Sequence, residues 1–129
     1  MVIPAWEPGS RRLQMFTQNY YFVYILANQK NGTLYVGVTR SLVKRVWEHK
    51  IKRNKNSFTS KYNINKLVYY QIFYDPYNAI AQEKRVKKWN RKWKLELIEK
   101  ENPDWLDLSE PWYKGHEKYI NLDPGSSPG

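Results

Sequence analysis

The sequence predicts an α/β fold of the α+β type, in which a small three-stranded antiparallel sheet is flanked by helices in the order ββαβαα. Two short apolar and aromatic runs are separated by an Asn-Gly pair, which is typical of a hairpin. A third run of the same kind follows a stretch of helical periodicity, and two more helical stretches come after it. The chain has 129 residues, which is enough for one domain with a modest core.

The strand predictions rest on short apolar segments between polar ones. The runs YYFVYILA at 20–27, TLYVGV at 33–38 and LVYYQIFY at 67–74 are rich in aromatic and β-branched residues, as strands are. The segment NQKNG at 28–32 joins the first two runs. Segment 54–66 is polar, and we expect a loop there.

The helix predictions rest on start and stop signals. Ser41 can cap the first helix, and Asp75 is a good N-cap followed by Pro76 at the first helical position. Asn102-Pro103 is expected to stop the last helix, because the residue before a proline avoids helical geometry. We expect the helices at about 42–53, 76–90 and 91–100.

The hairpin places two tyrosines on one face of the sheet. A four-residue loop over 29–32 sets Tyr24 opposite Gly37 and Tyr35 opposite Leu26, and paired residues in an antiparallel ladder share a face. We expect the glycine to leave room for a ligand backbone. The alternative is that both tyrosines are core aromatics, which is common in strands.

The first helix carries a basic stripe beside its apolar face. Arg45 and His49 are four residues apart, so both can reach one target, and Lys52 falls on the same stripe. We interpret Arg45 and His49 as site residues and Lys52 as a source of general attraction for phosphate. The alternative is a solvated basic face.

Glu83 is the only carboxylate between Asp75 and Glu96, in a helix rich in Lys and Arg. One carboxylate, several waters and a phosphate oxygen suit Mg²⁺ (or Mn²⁺), which keeps much of its hydration shell. Such a site would be weak, so the metal is expected only with substrate. The alternative is an ion pair with Lys87.

The positive charge is concentrated in residues 20–101, which hold 18 Lys and Arg against 6 Asp and Glu, a net charge of +12. Such a field favours a polyanionic partner, here DNA or RNA, through counterion release and steering. The candidate nucleic-acid contacts are Lys52, Arg53, Phe58, Lys61, Tyr62, Lys87 and Lys88.

The ordered motifs resemble the GIY-YIG endonucleases. The half-motifs read Val23-Tyr24-Ile25 and Tyr35-Val36-Gly37, followed by Thr39 and the downstream residues Arg45, His49 and Glu83. The chain is most similar to the compact stand-alone bacterial subgroup related to the nuclease domain of the excision-repair incision subunit. That subgroup is also matched by FTSKY at 58–62, by 83–98 and by NPDWLDL at 102–108.

The resemblance implies a metal-dependent DNA endonuclease that hydrolyses phosphodiester bonds in DNA repair or processing. Tyr24 or His49 would take the proton of the attacking water, with Tyr35 positioning the water or phosphate and acting as the rival base. Arg45 would stabilise charge on the phosphoryl oxygens, and Glu83 would hold the metal.

Two departures from the family and two alternative functions stand beside this interpretation. Val23 replaces the glycine of the first half-motif, and Asn90 is not at the spacing expected of a further site asparagine. The alternatives are a non-catalytic nucleic-acid-binding module on the same scaffold and a protein-interaction adaptor using the Trp-rich C-terminal extension.

The domain organisation predicted from composition has four parts. Residues 1–19 form an N-terminal arm, 20–101 the nuclease-like domain, 102–120 a packed extension and 121–129 a Pro/Gly/Ser-rich flexible tail. No apolar run reaches the roughly 18 residues of a membrane span. The lack of cysteine excludes disulfides and thiolate zinc sites and fits a reducing cytoplasm. The sequence leaves the oligomeric state open.

Overall fold

A computed structural model describes residues 20–113, and the N-terminal arm, the tail and part of the extension predicted above lie outside these residues. The three-stranded sheet and its flanking helices are confirmed, with one short helix added. The elements are β1 Tyr21–Ala27, β2 Leu34–Thr39, α1 Leu42–Lys50, α2 Phe58–Lys61, β3 Lys66–Phe73, α3 Pro76–Lys88, α4 Arg91–Glu101 and a 3₁₀ helix Glu110–Tyr113. Within residues 20–113, no helix has the length and apolar content that a membrane span requires.

The sheet has the strand order β2-β1-β3 and is antiparallel throughout. The predicted register of the hairpin is confirmed: Tyr24 lies opposite Gly37, and Leu26 lies opposite Tyr35. The pairing of β1 with β3 has one irregularity, between Ile25 and Leu26.

The two faces of the sheet are covered by different helices. On one face Val23, Ile25 and Ala27 pack with apolar residues of α3 and α4. On the other face Tyr24 and Leu26 pack with apolar residues of α1. Both layers bury the central strand β1, which therefore holds the core together from the middle of the sheet.

The helix boundaries correct three expectations. Ser41 occupies the N-cap position of α1, but its side chain makes no capping hydrogen bond. Instead, its backbone N–H donates to Thr39 Oγ1 at 3.0 Å. The helix ends at Lys50 rather than near residue 53, because Lys52 adopts a left-handed conformation with φ 54°. Asn90 does not end α3 but caps α4, where its side chain accepts from the N–H of Trp93 at 2.9 Å.

The predicted cap of α3 is confirmed, whereas the loop predicted over 54–66 contains a short helix. Asp75 caps α3 as expected, accepting from the N–H of Asn78 at 2.9 Å. The polar loop expected over 54–66 contains the short helix α2, whose N-cap Ser57 accepts from the N–H of Ser60 at 3.2 Å. Serine and threonine side chains bond easily to nearby backbone, which allows a helical turn in a segment without apolar periodicity.

Asp107 fastens the described part of the C-terminal extension to the sheet. Its Oδ1 accepts from the N–H of Leu67 at 3.1 Å and from the hydroxyl of Ser109 at 2.6 Å. Its Oδ2 meets Lys50 Nζ at 2.6 Å, and Lys50 is only 7% exposed. Burial raises the pKa of Asp107, but the charge and hydrogen bonds of Lys50 and Ser109 outweigh it and hold that pKa below its usual value.

We predict that Asp107→Ala lowers the free energy of unfolding by about 3–5 kcal/mol, because it leaves a buried ammonium without its counter-charge. Urea denaturation followed by circular dichroism measures the loss. The double variant Lys50→Met, Asp107→Ala should recover part of it. A single-variant loss below about 1 kcal/mol, as for an exposed ion pair, would contradict this role.

Candidate active site

Two phenols and one imidazole meet on the α1 face of the sheet. The hydroxyl of Tyr24 lies 3.4 Å from His49 Nε2. The ring of Tyr35 lies 5.4 Å from that of His49 and 6.2 Å from that of Tyr24, measured between ring centres. The hairpin register and the first two turns of α1 therefore bring together three residues that are far apart in the sequence.

The glycine opposite Tyr24 has a different use from the one expected. A Cβ atom at Gly37 would lie 2.7 Å from both Cζ and Oη of Tyr24. The space above Gly37 is thus filled by the phenol ring of Tyr24, not left open for a ligand backbone. Because the ring is clamped over the neighbouring strand, Tyr24 is fully buried.

Arg45 stands at the open side of this group. Its side chain is 47% exposed, and its Nε lies 3.4 Å from Glu48 Oε1. The other carboxylate oxygen of Glu48 lies 3.3 Å from a guanidinium nitrogen of Arg53. The sequence reasoning did not single out Glu48, although its place three residues after Arg45 and beside His49 was a usable signal.

A cavity of about 730 Å³ opens between α1 and the segment that contains α2. It is large enough to admit a phosphodiester group with its water. Tyr35, Arg45 and His49 line it, but Tyr24 does not. The remaining described lining residues are Glu48, Arg53, Asn54, Lys55, Asn56, Ser57, Thr59 and Ser60.

Burial favours the uncharged form of both Tyr24 and His49, so it raises the pKa of the phenol and lowers the pKa of the imidazole. Burial, the neighbouring Tyr35 and a hydrogen bond to it raise the pKa of Tyr24 well above its ordinary value, although Arg45 acts against them. Burial and the positive charge of Arg45 lower the pKa of His49 to about 4. At neutral pH both groups are uncharged, so His49 has a free lone pair that can accept a proton.

Glu83 lies apart from this cluster. It belongs to α3, which packs on the opposite face of the sheet, and it forms an ion pair with Lys87. It is 8% exposed and sits between Ala79 and Val86 on the buried stripe of its helix. The described residues that line the cavity do not include it. The ion pair with Lys87, which the sequence analysis gave as the alternative to a metal site at Glu83, is therefore present.

The acidic residues limit what kind of metal site the chain can form. Within residues 20–113, no group of three or more His, Asp or Glu side chains could hold a metal ion. A single carboxylate completed by water and phosphate oxygens still suits Mg²⁺. Glu48 is the carboxylate that lines the cavity, whereas Glu83 is paired with Lys87 on the helix that covers the other face of the sheet.

The predicted nucleic-acid contacts lie at and around α2, in the lining of the cavity and on α3. The rings of Phe58 and Tyr62 pack 4.9 Å apart and are 50% and 54% exposed, at either end of α2. Lys61 is exposed between them, whereas Lys52 donates to Asn63 Oδ1 at 2.5 Å. Arg53 lines the cavity, and the exposed Lys87 and Lys88 lie on α3.

The comparisons with known proteins identify the family of this chain. The family model for the GIY-YIG catalytic domain matches residues 20–96. The chain therefore belongs to the GIY-YIG family, as the sequence motifs predicted. GIY-YIG domains are nuclease domains that generally use divalent metal ions, so the family indicates nuclease activity on nucleic acid.

Among individual proteins, the chain is similar to members of the group called UPF0213. A UPF0213 protein of Clostridium perfringens is 35% identical over 105 residues, which cover 78% of this chain and 98% of that protein. A UPF0213 protein of Autographa californica nuclear polyhedrosis virus is 35% identical over 86 residues, covering 65% of this chain and 81% of the relative. The solution NMR structure of a UPF0213 protein of Bacillus halodurans is 24% identical with a TM-score of 0.45, covering 70% of this chain and 95% of that chain.

We predict that Gly37→Ala displaces the Tyr24 ring and destabilises the protein by about 1–3 kcal/mol, the usual effect of overpacking a core. Thermal and urea denaturation measure the change. In a Tyr24→Leu background the same substitution should be better tolerated, because the clashing ring atoms are gone. Equal effects in both backgrounds would show that the ring does not depend on the glycine.

Proposed function

We propose that this protein is a metal-dependent DNA endonuclease that hydrolyses phosphodiester bonds. The observation that carries the proposal is that Tyr35, Arg45 and His49 line one open cavity, while the hydroxyl of the buried Tyr24 lies 3.4 Å from His49 Nε2. These are a proton acceptor, two phenols and a cation, which are the groups that water attack on a phosphate diester uses.

DNA is the proposed substrate because of the charge and the exposed rings around the cavity. Arg53 and Lys55 extend the positive lining beyond Arg45. Phe58 and Tyr62, at the ends of α2, could stack on bases of a locally opened strand, since base stacking on aromatic rings is tolerant of sequence. A role in DNA repair or processing in the cytoplasm belongs to the same proposal and rests on the family resemblance. RNA is the alternative polymer.

Tyr24 and His49 are proposed to work as one proton-accepting pair. Tyr24 alone is a poor base, because its raised pKa keeps the phenol protonated and its side chain is fully buried. His49 lines the cavity and is neutral at pH 7. A proton taken from the attacking water, whether directly or through the Tyr24 hydroxyl, therefore ends on His49.

Arg45 is proposed to hold the phosphate, and Tyr35 to position the phosphate or the water. Arg45 is half-exposed and is held near the cavity by Glu48. A guanidinium can form two parallel hydrogen bonds to phosphate oxygens, which are stronger than those of neutral donors. Substrate phosphate would compete with Glu48 for this cation.

The metal is proposed to bind at Glu83, with Lys87 released from its ion pair when the substrate enters. When bound, a divalent ion supplies positive charge that polarises the phosphate and assists the leaving oxygen. Helix α3, which carries Glu83, covers one face of the sheet, and Tyr24 and Tyr35 lie on the other face. Strand β2 is at the edge of the sheet. A phosphate reaching both groups would therefore sit around the β2 edge, where Tyr35 lies.

A non-catalytic nucleic-acid-binding module is the second candidate. The observation that favours it is the ion pair between Glu83 and Lys87, which occupies the carboxylate on its own helix. On this alternative the positive surface would bind DNA, and the buried Tyr24 would serve only as core.

We predict that Glu83→Ala abolishes nicking of supercoiled DNA in Mg²⁺, while DNA affinity stays equal or rises because the exposed Lys87 loses the negative charge that neutralises it. Gel-based nicking and fluorescence anisotropy measure the two properties. Glu96→Ala, which removes an exposed carboxylate from α4, is the matched control and should keep full activity.

The same assay separates the two carboxylates and the two functions. Loss of activity in Glu48→Ala, with full activity in Glu83→Ala, would move the metal ligand to the cavity. Full wild-type nicking in EDTA would remove the metal from the mechanism. No nicking by the wild-type protein with Mg²⁺ or Mn²⁺, together with tight DNA binding, would favour the binding module.

We predict that Tyr24→Phe and His49→Gln each reduce kcat by about 10²- to 10⁴-fold, the usual contribution of general base catalysis. Tyr69→Phe, on the opposite face of the sheet, is the matched control. Because the pKa of His49 is about 4, the wild-type rate should rise with pH near that value and not near 6.5. A rise centred near pH 6.5 that His49→Gln abolishes would show an imidazole that titrates as if exposed. Activity of Tyr24→Phe within a few-fold of wild type would exclude Tyr24 from the pair.

A further inference from the structure

A chain of hydroxyl groups runs behind His49 into the segment around α2. Nδ1 of His49 lies 2.9 Å from Thr59 Oγ1, which lies 3.3 Å from Ser57 Oγ. Ser57 Oγ lies 3.1 Å from Ser60 Oγ, and Ser60 Oγ lies 2.7 Å from the main-chain oxygen of Asn54. The chain begins at an imidazole and ends at a carbonyl.

The end of this chain fixes the direction of every hydrogen bond in it. A hydroxyl has one hydrogen, and a carbonyl oxygen can only accept, so Ser60 donates its hydrogen to Asn54. Ser57 must then donate to Ser60, and Thr59 must donate to Ser57. Thr59 Oγ1 therefore has only lone pairs left for His49, whose Nδ1 must carry the hydrogen.

We infer that Thr59 is a positioning residue, which holds neutral His49 in the Nδ1–H tautomer so that the bare Nε2 faces the hydroxyl of Tyr24. A neutral imidazole has one N–H, so a hydrogen on Nδ1 leaves Nε2 as the acceptor, 3.4 Å from the Tyr24 oxygen. The catalytic meaning of this tautomer rests on the function proposed above. The Tyr24 proton can pass to His49 only in this form.

Burial prevents this row of hydrogen bonds from reversing its direction. Thr59 is 4% exposed and Ser60 is 8% exposed, so water is largely excluded from replacing either partner. In the opposite tautomer, a lone pair of Nδ1 would face a lone pair of Thr59 Oγ1, and an N–H on Nε2 would face the Tyr24 hydroxyl. Unsatisfied polar groups at buried positions are costly, and this tautomer would create one at each end of the ring.

The tautomer can be read directly by two-bond ¹H–¹⁵N NMR of the imidazole rings at pH 7. The protein has two histidines, so the NMR signals of His49 are those missing from the spectrum of His49→Gln. The expected wild-type pattern has the proton on Nδ1. Thr59→Val keeps the shape of the side chain without its hydroxyl and should produce a mixture of tautomers. Thr59→Ser should keep the wild-type pattern.

A second variant tests the direction of the chain at a residue that does not touch the ring. Ser57→Ala removes the acceptor of the Thr59 hydroxyl, which then becomes free to donate to Nδ1. The expected result is a shift of His49 towards the Nε2–H tautomer. A wild-type proton on Nε2, or a pattern that Thr59→Val leaves unchanged, would overturn the inference.

Kinetics supply the functional readout. Thr59→Val should lower kcat for nicking by about ten- to a hundredfold, the range seen when partners that orient metal-binding histidines are removed. KM and Tm should change little, and Thr59→Ser should stay within a few-fold of wild type. If the wild-type protein does not cut DNA, the proposed nuclease function fails, but the NMR result still decides the tautomer. If it cuts DNA with the proton on Nε2, the tautomer inference alone is overturned.

Discussion

The contact between the Tyr24 ring and Gly37 is the constraint on which the rest of the site depends. It requires the register of the hairpin, since a slip of one residue would send Tyr24 to the other face of the sheet. It also requires a residue without Cβ on β2, because the ring occupies the space where a Cβ would be. The position of the Tyr24 hydroxyl, and hence its approach to His49, follows from these two conditions.

Electrostatics then keep both Tyr24 and His49 uncharged at neutral pH. Desolvation disfavours the charged form of both groups, so it raises the pKa of Tyr24 and lowers that of His49. Both members of the pair are therefore neutral over a wide range of pH. Arg45 belongs to the same balance, because its positive charge lowers both pKa values.

The sequence predicted the parts of this site that depend on local patterns. The Asn-Gly turn and strand alternation were enough for the register of Tyr24 against Gly37, and helix spacing was enough for Arg45 and His49. It did not predict that α1 and α3 cover opposite faces, because periodicity shows which stripe of a helix is buried but not against which surface. It also missed the role of Thr59, since hydroxyl bonds in a polar loop leave no periodic trace.

The contacts of Asp107 bear on which part of the chain holds α1 in place. The family match ends at residue 96, before the group that neutralises the buried ammonium of Lys50. Tyr113 lies further along the same segment and donates its hydroxyl to the carbonyl of Val43, in the helix that carries His49. The helix that carries His49 is thus braced by residues beyond the matched region, so side chains outside the signature by which the family is recognised help to hold this helix in place.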